Sequence, residues 1–166
     1  MKNKNLTNKH PRKLKTDPNF KACPIEAGHE YLRNGIFVFN ITRMWAQIEQ
    51  HPEAYKLMEI ETAAYNSGIL LSALNQESIE QADLNRPIIL AEIAPDRWES
   101  GTGVPENDFY VRGYNLMDGH HRLAKAIKHG VPKLQAYVLR MEQHLEFMAE
   151  GYETYVDYWN GKLQEL

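Results

Sequence analysis

Between Tyr110 and Val138 the hydrophobic pattern changes period twice, and that double change limits the folds open to the chain. Tyr110 to Met117 reads as a strand, Asp118-Gly119 as a turn, and His120 to Lys128 as a helix packing through Leu123, Ala126 and Ile127. Gly130 stands where a left-handed residue ends a helix, with Pro132 just beyond. Leu134, Ala136 and Val138 then alternate with Gln135 and Tyr137 as another strand. A strand–turn–helix–strand unit puts its turn at a strand's carboxyl end, where helix-flanked sheets commonly hold ligands.

The rest of the chain supplies partners for this unit. Ile36 to Ile41, after Asn34-Gly35, is β-branched and aromatic and predicts a strand. A helix is expected from about Thr42, carrying Met44, Trp45 and Ile48 and punctuated by Pro52. Leu57, Ile60 and Ala64 predict a second helical stretch from about Glu53, and the run from Gly68 to Leu74 predicts a short buried segment. Ile88 to Ile93, with Pro87 at its mouth, is an apolar strand. Residues 94–109 form a long loop with breakers at Pro95, Gly101, Gly103 and Pro105, suited to a binding loop or lid, or to a surface insertion. Leu145, Met148, Ala149, Tyr152, Tyr155, Val156, Trp159 and Leu163 form the stripe of a long last helix, for the core or a dimer seam. Gly151 inside it would cost about 1 kcal/mol relative to alanine. The expected class is α+β or α/β: a small mixed sheet with helices plus a long C-terminal helix. The expected division is a flexible basic arm over 1–24, a domain over 25–140 and a helix over 141–166.

Charge is unevenly spread. Residues 1–21 hold Lys2, Lys4, Lys9, Arg12, Lys13, Lys15 and Lys21 against Asp17 alone, leaving 12 basic and 21 acidic residues for the remainder, a net of −9. So acidic a body is a poor general binder of nucleic-acid backbone, which needs clustered lysine and arginine. The arm is either a solvated tail or a contact for nucleic acid or an acidic partner. With one cysteine, Cys23, no signal-peptide core and no apolar run of spanning length, a cytoplasmic setting without membrane contact is expected.

The turn itself is chemically unusual. Asp118 is suited to cap the helix, and Gly119 permits a sharp turn and close approach. His120, His121 and Arg122 then put three potential cations where a helix already carries partial positive charge. The pattern becomes sensible with an anion held by free N–H groups, imidazoles and a guanidinium. Two other readings stay open: no ligand, with neutral histidines, or a metal through Asp118 and His121. Against the metal, His120 and His121 point about 100° apart on a helix.

Leu116-Met117-Asp118-Gly119-His120-His121-Arg122-Leu123-Ala124-Lys125-Ala126 resembles the signature helix of the ParB/sulfiredoxin superfamily. The resemblance spans about 110–140, through Gly130-Val131-Pro132, and extends upstream to Arg86-Pro87-Ile88-Ile89-Leu90. It implies that Gly119, His120, His121 and Arg122 bind a nucleotide's phosphate, with Asp118 in a catalytic position and ATP, ADP or CTP, with Mg²⁺, as cofactor. His120 stands where sulfiredoxins carry their catalytic cysteine, so that chemistry is excluded. One helix and a short tail follow residue 140, which leaves no room for the DNA-binding module of a partition protein. No clustered acidic residues support the nuclease label that many such domains carry.

Secondary candidates are Glu92, as a remaining acid on its strand; Glu30, close to Glu26 and His29, as an upstream base; Arg43 as a further phosphate contact; and Trp98 for stacking on a base. No metal is expected from protein ligands alone. Two functions compete: a small nucleotide-dependent phosphotransferase or NTPase, and a non-catalytic nucleotide-binding or DNA-associated regulatory module. A homodimer through the last helix is compatible with either.

Overall fold

The computed structural model describes residues 12–68 and 74–166. The expected segment 68–74 and the lysines of the arm before Arg12 fall largely outside these residues.

At the centre stands β4 (Ile88–Glu92), in which every residue is buried. It pairs antiparallel with β5 (Tyr114–Asp118) and parallel with β6 (Lys133–Leu139), and β6 pairs antiparallel with β3 (Lys56–Glu61). The sheet order is therefore β3-β6-β4-β5. A strand covered on both faces is apolar at successive positions rather than alternate ones, here Ile88 to Ala91, with the buried Glu92 at its end. Ile88 and Leu90 face one core with Leu123 and Ala126 of α4 (His120–Lys128). Ile89 and Ala91 face the other, with Phe39, Met44, Ile48, Tyr155 and Trp159. That second core is closed by a smaller antiparallel sheet, β1 (Tyr31–Asn34), β2 (Phe37–Asn40) and β7 (Met148–Glu150), by α1 (Ile41–Gln50) and by α6 (Tyr152–Gln164). The α+β class is the one expected from the sequence. Among the described residues no helix is long and apolar enough to cross a membrane.

Four local expectations are corrected. The helix expected from Glu53 is a 3-10 turn, Pro52–Ala54, and then β3, whose Met58 and Ile60 pack at a spacing of two. The strand expected from Tyr110 begins at Tyr114, because Asp108 caps a single helical turn, α3 (Phe109–Arg112), through the Val111 N–H. The long last helix is broken into α5 (Met141–His144), a 3-10 turn (Leu145–Phe147), β7 and α6. Gly151 is the reason: at φ 94° it starts α6, and a Cβ there would lie 2.8 Å from the Ile36 carbonyl oxygen. The arm is held to the body from Arg12 onward. Trp159 Nε1 donates to Arg12 O, Leu14 exchanges hydrogen bonds with Asn160, and Phe20 stacks on Tyr152 at 3.7 Å.

The long loop is pinned rather than loose. Arg112 makes a bidentate pair with buried Asp96, at 2.6 and 3.0 Å, and also donates to Glu106 O.

Candidate functional site

β5 delivers Asp118 at its carboxyl end, and Gly119 turns the chain into α4 at φ 103°. Gly119, not Asp118, is the N-cap, and no side chain among the described residues caps the helix. The first helical hydrogen bond is Leu123 N to Gly119 O. The N–H groups of His120, His121 and Arg122 thus lack intrahelical partners, as geometry requires of a first turn. Glycine is obligatory here twice over. Its φ lies in the left-handed region, and a Cβ would meet Ile88 Cγ2 at 2.4 Å and Arg122 Nη2 at 3.1 Å.

Asp118 is released from capping and fixed by side chains. Its Oδ2 accepts from Trp45 Nε1 at 2.6 Å and from Arg122 Nη2 at 3.3 Å. Arg86 lies over the Trp45 ring at 4.6 Å. Arg122 is only slightly exposed, and its buried Nε finds no partner among the described residues. Burial lowers the pKa of His120 below that of an ordinary imidazole; His121 and Arg122 act the same way, and Asp118 opposes them. Near neutral pH His120 is therefore an uncharged donor or acceptor.

These five residues line one cleft of about 480 Å³. Its opposite walls are Glu30, just before β1, and Ser78, Gln81 and Ala82 of α2 (Gln76–Gln81) and its end. Glu30 is anchored through its backbone: its N–H donates to Thr42 Oγ1 and its carbonyl accepts from Ile41 N. Asn75 caps α2, and Lys125 of α4 reaches its last carbonyls at Glu80 and Ala82, so the two helices are tied.

The remaining candidates lie elsewhere. Glu92 pairs in register with Tyr114, whereas Asp118 pairs with Ile89, three residues back along β4 and so about 10 Å away. The Glu92 carboxylate is fully buried. It accepts from Arg12 at 2.6 and 2.9 Å, from the Met141 and Asp96 N–H groups at 3.1 Å each, and lies 3.2 Å from Arg140 Nε. It is a structural counter-charge, not a base facing the turn. Arg43 is engaged by Glu26 at 3.1 Å and does not line the cleft. Trp98 is 47% exposed on the long loop and does not line it either.

Two contributors escaped the sequence reading. Trp45 sits on an amphipathic helix, where nothing local distinguishes a residue pointing at the turn from a core residue. The α2 wall carries one usable signal, Asn75 three residues before Ser78, a helix-capping spacing.

No family model, curated protein or solved structure matches the chain.

Proposed function

We propose that the chain binds the phosphate of a nucleotide at Asp118–Arg122, as the ParB-like signature implies, and uses that site as a small phosphotransferase or NTPase. The observation that carries the reading is the coincidence of an uncapped first turn with Arg122, whose buried Nε has no partner among the described residues, at the wall of a cleft large enough for a polyphosphate. A cation at the positive end of a helix is unfavourable alone and favourable beside an anion. Phosphate oxygens would take the free N–H groups and the guanidinium, while neutral His120 adds a hydrogen bond without a charge.

Asp118 supports turnover as well as binding. Both of its hydrogen bonds fall on Oδ2, which leaves Oδ1 free among the described residues to accept a proton or hold Mg²⁺ carried in with the nucleotide. Such a cation would neutralise phosphate charge, with Glu30 across the cleft as a second carboxylate.

Calorimetric titration with ATP, ADP and CTP, with and without Mg²⁺, tests the site. Arg122→Ala is expected to weaken binding at least tenfold while the helical circular dichroism is kept. Unchanged affinity, or no nucleotide binding by the native chain, overturns it. Labelled ATP incubated with small hydroxylated acceptors separates turnover from a purely regulatory module.

A further inference from the structure

A second cavity, of about 220 Å³, adjoins the same turn, and His120 belongs to the walls of both. Its other walls come from Leu32 and Asn34 of β1, Asn115 and Leu116 of β5, and two tyrosines, Tyr65 and Tyr110. β1 and the residue before it thus serve both compartments, Glu30 in the cleft and Leu32 to Asn34 in the smaller cavity. Four residues of extended chain cover about 13 Å, close to the reach of a nucleoside polyphosphate from base to terminal phosphate.

The chemistry of this cavity is specific. Tyr65 is 3% exposed, and its buried hydroxyl has no hydrogen-bond partner among the described residues. That hydroxyl is closed off from the cavity, so Tyr65 gives the wall an apolar ring face. Tyr110 packs edge-on to Tyr65, with ring centroids 6.0 Å apart, yet remains 48% exposed, so ring surface is available for stacking. Among the described residues no carboxylate lines the cavity, and the one permanent cation there, Arg33, lies 3.6 Å from Glu150. An amino-acid or ammonium-bearing acceptor would find no counter-charge here. A neutral planar ring with polar edges would find a stacking face and the amide of Asn115.

We infer that this cavity is the base-binding compartment of the site: a nucleobase stacks on Tyr110 and hydrogen-bonds Asn115, while its phosphates lie past His120 on the first turn of α4. The inference rests on the phosphate reading above and adds to it that the ligand is recognised by its ring, with Tyr110 and Asn115 as the residues that set base preference.

The test compares ATP and CTP with inorganic tripolyphosphate, which has the charge but no ring, by calorimetry on the full chain. The native protein is expected to bind at least one nucleotide roughly tenfold more tightly than tripolyphosphate, the scale of one aromatic stack. Tyr110→Ala removes a half-exposed ring, and Asn115→Ala removes only a part-exposed amide, so both are expected to fold. Each should bring nucleotide affinity toward the tripolyphosphate level and leave tripolyphosphate itself unchanged. Equal binding of tripolyphosphate and nucleotides by the native chain, or equal weakening of both ligands in the two variants, overturns the base compartment and leaves the phosphate site standing. Failure of every phosphate compound to bind overturns both.

Discussion

Trp45 and Asp118, 73 residues apart in sequence, are joined by a 2.6 Å hydrogen bond from the indole Nε1 to the carboxylate Oδ2. The bond fixes the carboxylate beside the cleft while Gly119, rather than Asp118, starts the helix. Trp45→Phe keeps most of the ring and the contact with Arg86 but removes the donor. A hydrogen bond to a charged acceptor of this kind contributes about 2 kcal/mol. Urea denaturation should show a loss of that order, and an unchanged midpoint would mean that the indole is not needed to hold Asp118.

Gly119→Ala should be among the most damaging single-methyl changes in the chain. It forces a residue with a side chain to φ 103° and drives the new carbon into Ile88 at 2.4 Å. The conformation alone costs about 1 kcal/mol and the overpacking about 1–3 more. Gly130→Ala is the control, since at φ 69° a Cβ there meets nothing within 4 Å. If thermal melts show equal losses for the two variants, the close approach to Ile88 is not limiting.

Arg12→Ala should destabilise by about 3 kcal/mol, because it strips counter-charge from a carboxylate that stays buried. Glu92→Gln should cost less, since it removes the buried charge itself and its one amide oxygen still accepts from either the Met141 or the Asp96 N–H group, which bond different oxygens of the carboxylate. Chemical denaturation of the two single variants and their combination measures the coupling. Additive losses would show that Arg12 and Glu92 act independently.

Acid should weaken the fold before the carboxylates titrate. His144 is fully buried, donates through Nε2 to the Glu92 carbonyl at 2.6 Å, and has its pKa pushed down to about 4 by burial. Between the ordinary imidazole value of 6.5 and about 4, the unfolded chain takes up a proton that the folded chain refuses, so stability falls as pH drops. The loss amounts to about 3 kcal/mol across that window, and His120, also lowered, adds in the same direction. Glu26, Glu80 and Glu142 are held below the usual carboxylate value, so their stabilising pairs fail only at lower pH. Denaturant melts from pH 7.5 to 4.5 should slope in the native chain and slope less in His144→Gln. Identical slopes would assign the effect to other groups.

The candidate turn was legible because its signals are local. Helix α4 ends at Lys128 ahead of Gly130, whose N–H donates to Ile127 O while Val131 N donates to Ala126 O, and the sequence places that stop correctly. β4 was legible from an apolar run with a proline before it. What escaped depends on contacts distant in sequence. Leu57, Ile60 and Ala64 fit a helical period, but Lys56 to Glu61 pairs with β6 at every residue, and pairing prevails over spacing. Met148 and Ala149 fit the stripe of a last helix, but β2 captures them as a strand. Glu92 looked like a spare acid because nothing local reveals that Arg12 lies against it.

The placement of Arg12 also bears on synthesis and proteolysis. Glu92 is buried between a residue translated early, Arg12, and partners translated late, Arg140 and the Met141 N–H, with Trp159 holding the backbone of Arg12. A nascent chain that has reached only β6 carries this acid without its full set of partners. The fold therefore closes as a unit, late and through long-range contacts. A protease that nicked the strap after Arg12 would release a clasp, not trim a tail.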